Sequence, residues 1–229
     1  MKLATFVLLG ILALGSFATM QAANPAGAGQ VAMAFTGGGV GTSDTTGTCM
    51  WYPLLLGDLN MEFLFEFKDG APAVDKEHAY LIWVSDFEGL PQGSFLMPPS
   101  SKGLLMLQLV PTGSGTIYYS DYPRGRNWTD PSKRTTWGTP VATFTRQAGI
   151  FVSSDGGMSG SMTSSAVLTS SKPFTLNGVT FDFKNLIPHG MTCFETGSSG
   201  TTLKKDKKNN DEGGGDDEAG TCIAIGPGQ

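Results

Sequence analysis

Charged side chains are scarce in this chain. Asp, Glu, Lys and Arg make up 15% of its 229 residues, against about 25% in an ordinary soluble domain. There are two histidines and three cysteines, and no Cys-x-x-Cys occurs, which argues against a zinc centre or any other metal site. The net charge is −5 and no broad basic face is present, which argues against a nucleic-acid partner. Outside the N-terminus no apolar run approaches the ~20 residues of a membrane-spanning helix. No sustained amphipathic helical period is found either, and a parallel α/β fold needs such crossover segments. The stretch Gly157-Met-Ser-Gly-Ser161 lacks the closing glycine of a nucleophile elbow. Gly37-Gly38-Gly39 is not followed by the Lys-Ser/Thr of a phosphate loop, so no nucleotide or other cofactor is expected.

What is present points to β-structure. The chain has 32 Gly and 13 Pro with 14 Phe, a composition suited to short strands joined by tight turns. The expected fold is all-β, a single antiparallel β-sandwich or flattened β-barrel of about ten strands. Residues 1–23 read as a secretory signal peptide: Lys2, an apolar stretch from Leu3 to Leu14, then small residues before Ala23. The mature protein is therefore expected to be secreted or periplasmic, with no transmembrane segment after removal of the leader. Residues 24–47, rich in Gly, Ala and Thr, read as a flexible segment in which 31–35 form at most a short strand. Residues 48–229 read as the β-domain.

Within that domain, residues 61–68 show the clearest period-two alternation, with Met61, Phe63, Phe65 and Phe67 on one face and Glu62, Glu66 and Lys68 on the other. Further strands are expected at 49–56, 78–85, 103–110, 140–146, 149–154, 158–168, 191–195 and 221–225. Asn177-Gly178 suits a type I′ hairpin that pairs Phe174 with Phe181, Thr175 with Thr180 and Leu176 with Val179. Residues 197–220 carry dense charge without apolar anchors and read as a mobile insert. Its acidic half, Asp211 to Glu218, offers oxygen ligands for calcium, but the spacing follows no known loop pattern.

Cys193 and Cys222 flank that insert, and a bridge there would contribute roughly 3–4 kcal/mol in the chain-entropy model. Pairings of either with Cys49, and three unbridged thiols, remain open alternatives.

The stretch 117–138 gathers three of the five Tyr, two of the four Trp and three of the four Arg. Its candidate contact set is Tyr122, Arg124, Arg126, Trp128 and Arg134, because aromatic faces stack on sugar rings and Arg supplies directed hydrogen bonds. The alternative is that Trp128 and Trp137 pin the loop. Asn127-Trp-Thr129 also matches a glycosylation acceptor.

The leading expectation is an exported, non-enzymatic β-domain that binds a glycan or an envelope or extracellular protein through this loop, with no catalytic residue assigned. The rival is an extracellular hydrolase or isomerase with an acidic site in a cleft or barrel mouth, drawing on Asp58, Glu62, Glu66, Asp86 or Glu88, with His78 and His189 as weaker bases. A structural surface protein is the third reading.

Overall fold

The hairpin at 174–181 shows how local chemistry sets geometry. Asn177 and Gly178 both take positive φ, 48° and 82°, as a type I′ turn requires. The pairs Phe174–Phe181, Thr175–Thr180 and Leu176–Val179 follow, as the sequence predicts. Phe174, Leu176 and Phe181 are buried while Thr175 is exposed.

The computed structural model describes residues 21–22, 26–43, 46–87, 95–97, 105–109, 113–126, 131–153, 159–199 and 216–226. Its first strands are β1 Gln21–Ala22, β2 Val31–Ser43, β3 Thr46–Leu56, β4 Phe67–Lys68 and β5 Ala71–Pro72. They are followed by β6 Leu81–Phe87, β7 Phe95–Met97, β8 Leu105–Leu109, β9 Ser114–Tyr119 and β10 Thr139–Ser153. The last are β11 Ser159–Ser171, β12 Phe174–Leu176, β13 Val179–Phe181, β14 Met191–Ser199 and β15 Asp216–Ala224. Two single-turn helices, α1 Met61–Leu64 and α2 Phe183–Leu186, complete the regular structure with two short 3-10 segments.

The chain is nearly all β, and its main sheet closes into an eight-strand barrel. The order is β2-β3-β6-β9-β10-β11-β14-β15, and β15 returns to pair with β2. Every neighbour in this ring is antiparallel. The barrel is an up-and-down meander in which sequence order and spatial order agree. Beyond the point where β9 leaves β10, residues 149–153 pair with β8, and β7 adds outside β8. An eight-strand barrel has an interior just wide enough to be filled by side chains or to hold one small ligand.

One end of this interior is corked. Phe174, Phe181 and Phe183 stack with centroids 5.7 Å and 6.1 Å from Phe174, and Phe183 meets Phe144 of the barrel edge-on at 6.2 Å. Leu64, Phe65, Leu186 and Ile187 are buried in the same cluster. Asp182 caps α2 by accepting from the Lys184 N–H at 2.9 Å. The Tyr119 hydroxyl donates to the Thr175 carbonyl at 2.8 Å and fixes the hairpin to the barrel rim. Cys193 and Cys222 face each other across β14 and β15 and are bridged, which resolves the cysteine alternatives. Cys49 lies outside the bridge.

Several expectations are corrected. Residues 61–68 form no long strand. Asn60 accepts from the Glu62 N–H at 3.0 Å and starts α1 instead. Leu64 and Phe65, adjacent in sequence, are the buried pair, while Met61, Phe63 and Phe67 are exposed. The segment read as flexible at 24–47 supplies the long strand β2. Its glycines suit close approach: a Cβ on Gly37 would lie 2.0 Å from the Met50 carbonyl oxygen across the ladder. The insert read as mobile at 197–220 contributes strand at both ends, through Ser199 and from Asp216. There Gly197 lies opposite Glu218 and Ser198 opposite Asp217 in the ladder. The two strands expected at 140–146 and 149–154 are one, β10, with a register shift between Arg146 and Ala148. The proposed calcium ligands Asp211 and Glu212, and the leader apart from the β1 backbone, lie outside the described residues.

The disulfide gives a direct test. Replacing Cys193 and Cys222 by Ser together is expected to lower unfolding free energy by ~3–4 kcal/mol in urea titration, from the entropy of the reopened loop. Alkylation of the denatured, unreduced wild type should label one thiol, that of Cys49.

Candidate functional site

The aromatic–basic stretch packs on the outside of the barrel. Trp137 is fully buried with Ile82 and Val84, and Met50 and Tyr118 lie against this cluster. Tyr118 meets the Trp137 ring edge-on at 5.9 Å. Arg134 lies 5.6 Å over the same ring, within the range of a cation–π contact.

Arg126 is 7% exposed. Its guanidinium donates to the Trp137 carbonyl at 2.9 Å, to the Tyr80 carbonyl at 2.7 Å and to the Ala79 carbonyl. Burial lowers its pKa to about 10, so it remains charged at neutral pH. It ties the 118–137 segment to the start of β6. Of the proposed contact residues, Tyr122 and Arg124 face solvent. Arg124 Nε stands 2.8 Å from Glu66 Oε2, and Trp128 lies outside the described residues. The loop therefore divides into an inward clamp and an outward pair.

Of the carboxylates expected to form an acidic site, Asp58 and Glu62 are exposed, Glu66 faces Arg124, and the side chains of Asp86 and Glu88 are not described. His78 lies against Asp75, with Nδ1 2.8 Å from Oδ1. Burial raises the Asp75 pKa, but hydrogen bonds from His78 and Glu77 outweigh it and hold the carboxyl below its usual range. His189 is exposed.

The chemistry lies inside the barrel. Strands β6, β10 and β14 run in the same direction, each with one inward row. Those rows read Leu81, Trp83, Ser85; Ala142, Phe144, Arg146; and Met191, Cys193, Glu195. On all three strands the sequence goes from apolar at the corked end to polar at the far end. Trp51 and Trp83 are in contact, with centroids 4.8 Å apart, and Phe35 closes on both at 5.7 Å and 5.5 Å. A Cβ on Gly115 would fall 2.2 Å from Trp83 Nε1, so the indole occupies space that any other residue on β9 would fill. Above these rings is a partly open cavity of about 30 Å³ bordered by Trp83, Ser85, Phe144, Arg146, Met162 and Glu195. That is room for one or two water molecules.

Two carboxyl groups stand at this level in different surroundings. Glu195 is opposite Gly220, and Glu218 opposite Gly197, so the glutamates are diagonal neighbours on one face. Such positions are ~7–8 Å apart between backbones and closer between side chains. The Trp51 indole N–H donates to Glu218 Oε2 at 2.6 Å, a charge-assisted bond that favours an ionised carboxylate. Glu195 is 7% exposed. Burial first, and the Glu218 charge second, push its pKa to about 8, with Arg146 offsetting part of the rise. Glu195 is therefore mainly a neutral acid at pH 7. Burial lowers the Arg146 pKa, opposed by Glu195 and Cys49.

Among the described residues, three side-chain atoms are buried without a hydrogen-bond partner, Glu66 Oε2, Trp83 Nε1 and Glu195 Oε1; the first faces Arg124, and the side chains of the other two line the cavity. Sequence reading took Glu195 for an ordinary strand residue and Glu218 for part of a solvated insert. The available signal was parity. Glu195 alternates in phase with Met191 and Cys193, Glu218 with Cys222 and Ala224, and Arg146 with Ala142 and Phe144.

Two stability predictions follow from this geometry. The Glu195 carboxyl binds its proton more tightly folded than unfolded. Between the ordinary carboxylate pKa of 4.5 and about 8, the native state thus holds a proton that the unfolded chain lacks. Stability should fall with rising pH across that window, by at most ~1.4 kcal/mol per unit, and level off above it. Urea titrations at several pH values should show this slope flattened in Glu195→Gln. Arg126→Ala should cost ~3 kcal/mol or more, because buried carbonyls lose a charged donor. Comparison with family models, with curated proteins and with solved structures finds no match to this chain.

Proposed function

We propose that this chain is an exported barrel domain that binds a small organic molecule at the polar end of the barrel, its polar head in the cavity beside Trp83, Glu195 and Arg146 and its body toward the open side. The observation that carries this reading is a pair of buried, unpartnered polar atoms, Trp83 Nε1 and Glu195 Oε1, on two side chains that line one cavity. Each unpaired buried group costs ~1–3 kcal/mol, and a ligand that supplies partners to both recovers that cost. The wall joins three aromatic rings, Trp51, Trp83 and Phe144, to small residues and to the polar groups of Arg146 and Glu195, a mixture of the kind found in small-molecule sites. The Cys193–Cys222 bridge supports export to an oxidising compartment, secreted or periplasmic. The proposal takes the barrel in preference to the sandwich, on the unbroken ring of strand pairings.

A second reading retains the outer loop as a glycan- or protein-binding surface, now centred on Tyr122 and Arg124. It is favoured by the 64% exposure of Tyr122. An enzymatic reading shares the interior site: Glu195 as a neutral acid beside an ionised Glu218 is the kind of divergence used in acid–base catalysis.

The two binding surfaces are separated by substitution. Ser164→Leu places a larger apolar side chain in the cavity wall. A panel of small alicyclic and aromatic compounds, followed by ligand-detected NMR, should bind wild type and Tyr122→Ala/Arg124→Ala alike and lose binding to Ser164→Leu. Retained binding in Ser164→Leu would sink the interior reading. Loss of glycan or protein binding in the loop variant alone would establish the outer surface.

A further inference from the structure

The polar groups at the cavity fix a charge balance that selects among ligands. Arg146 carries one positive charge and Glu218, held by the Trp51 N–H, one negative charge. Glu195 adds no charge beside these two when it keeps its proton. The titratable and charged groups facing Glu195 are Glu218 from β15 and Arg146 from β10, and Cys49 of β3 lies beyond Arg146. The β11 residue opposite Glu195 is Met162, which adds no charge.

We infer that the interior site takes a neutral carbonyl compound, its oxygen accepting from the Trp83 indole N–H and from the carboxylic acid of Glu195. This deepens the interior-site reading and rests on it. Trp83 Nε1 can only donate. The ligand must therefore present an acceptor to it. A protonated Glu195 also donates, so one oxygen with two lone pairs satisfies both groups. An anionic ligand would add a negative charge beside Glu218, and a cationic ligand would face Arg146. Either leaves a charge uncompensated at low dielectric, the costliest arrangement in a protein interior. Size agrees: about 30 Å³ of free space admits a carbonyl head while the body of the ligand lies toward the open side. Burial and the Glu218 charge, which keep Glu195 protonated up to about pH 8, maintain the donor through the physiological range.

The test uses four probes of one shape: cyclopentanone, methylenecyclopentane, cyclopentanecarboxylate and cyclopentylamine, titrated into the intact protein by ligand-detected NMR. Cyclopentanone should bind at least ~10-fold more tightly than each of the others, a factor that corresponds to 1.4 kcal/mol. Trp83→Phe and Glu195→Leu should each bring the ketone down to the level of the hydrocarbon. Glu195→Gln keeps an N–H donor, should keep the ketone preference, and should remove the loss of affinity that wild type shows above pH ~8. Circular dichroism and urea titration show which variants remain folded, and Glu195→Gln carries the test if the larger changes unfold the barrel. Tighter binding of the carboxylate or the amine than of the ketone, or no preference for the ketone over the hydrocarbon, overturns this inference and leaves the interior site standing. Absence of binding by all four probes, or binding that survives Ser164→Leu, overturns the interior site and this inference with it.

Discussion

The pairing of β15 with β2 is the contact on which everything else depends. It joins residues 31–39 to 216–223 and converts an open meander into a ring. An open sheet of this length would present two edges of unpaired N–H and C=O groups to solvent. Closure removes both and creates an inside. The Thr36 hydroxyl reinforces the seam by donating to the Glu218 carbonyl at 3.1 Å, and the disulfide on the other side of β15 holds that strand to β14. The cavity, the two glutamates and the indole contacts exist only because this seam is made.

Closure also explains the axial order of the interior. Three strands of the same direction carry their inward residues in the same sequence, from aliphatic to aromatic or sulfur to polar. The corked end buries apolar side chains where no water reaches, which contributes on the order of 1.5–3 kcal/mol for each large residue. The far end can then hold groups such as Glu195 and Arg146 that would be ruinous beneath the Phe174–Phe183 stack. Stability and site thus occupy opposite halves of one cylinder, and the Trp51–Trp83–Phe35 cluster separates them.

What was legible in the sequence was whatever local chemistry decides. The Asn177-Gly178 hairpin reads directly because turn geometry and hydrophobic parity agree over eight residues. The all-β class reads from composition and the missing helical period. Residues 61–68 misled because their alternation is real, yet Asn60 caps a helical turn and the cork buries Leu64 and Phe65 side by side. The loop arginines misled because an Arg reads alike whether it meets solvent or, as Arg126 does, clamps backbone carbonyls. The interior groups Trp83, Arg146, Glu195 and Glu218 come from four strands far apart in the chain. Their parity was visible, but parity alone does not say which of two faces is the inside, and only closure brings them to one level.

The seam has a kinetic side as well. It unites positions as far apart as Val31 and Ile223, the kind of long-range pairing whose loop entropy must be met before any contact rewards it. Hairpins such as 174–181 form on microsecond timescales, while the ring waits for its most distant partners. A sheet left open would stand with two bare edges, the kind of surface at which chains self-associate. Cys222 lies on the closing strand and Cys193 on its hairpin neighbour, so the bridge fastens β15 to the sheet independently of its pairing with β2. The disulfide thus anchors covalently the strand whose pairing completes the ring.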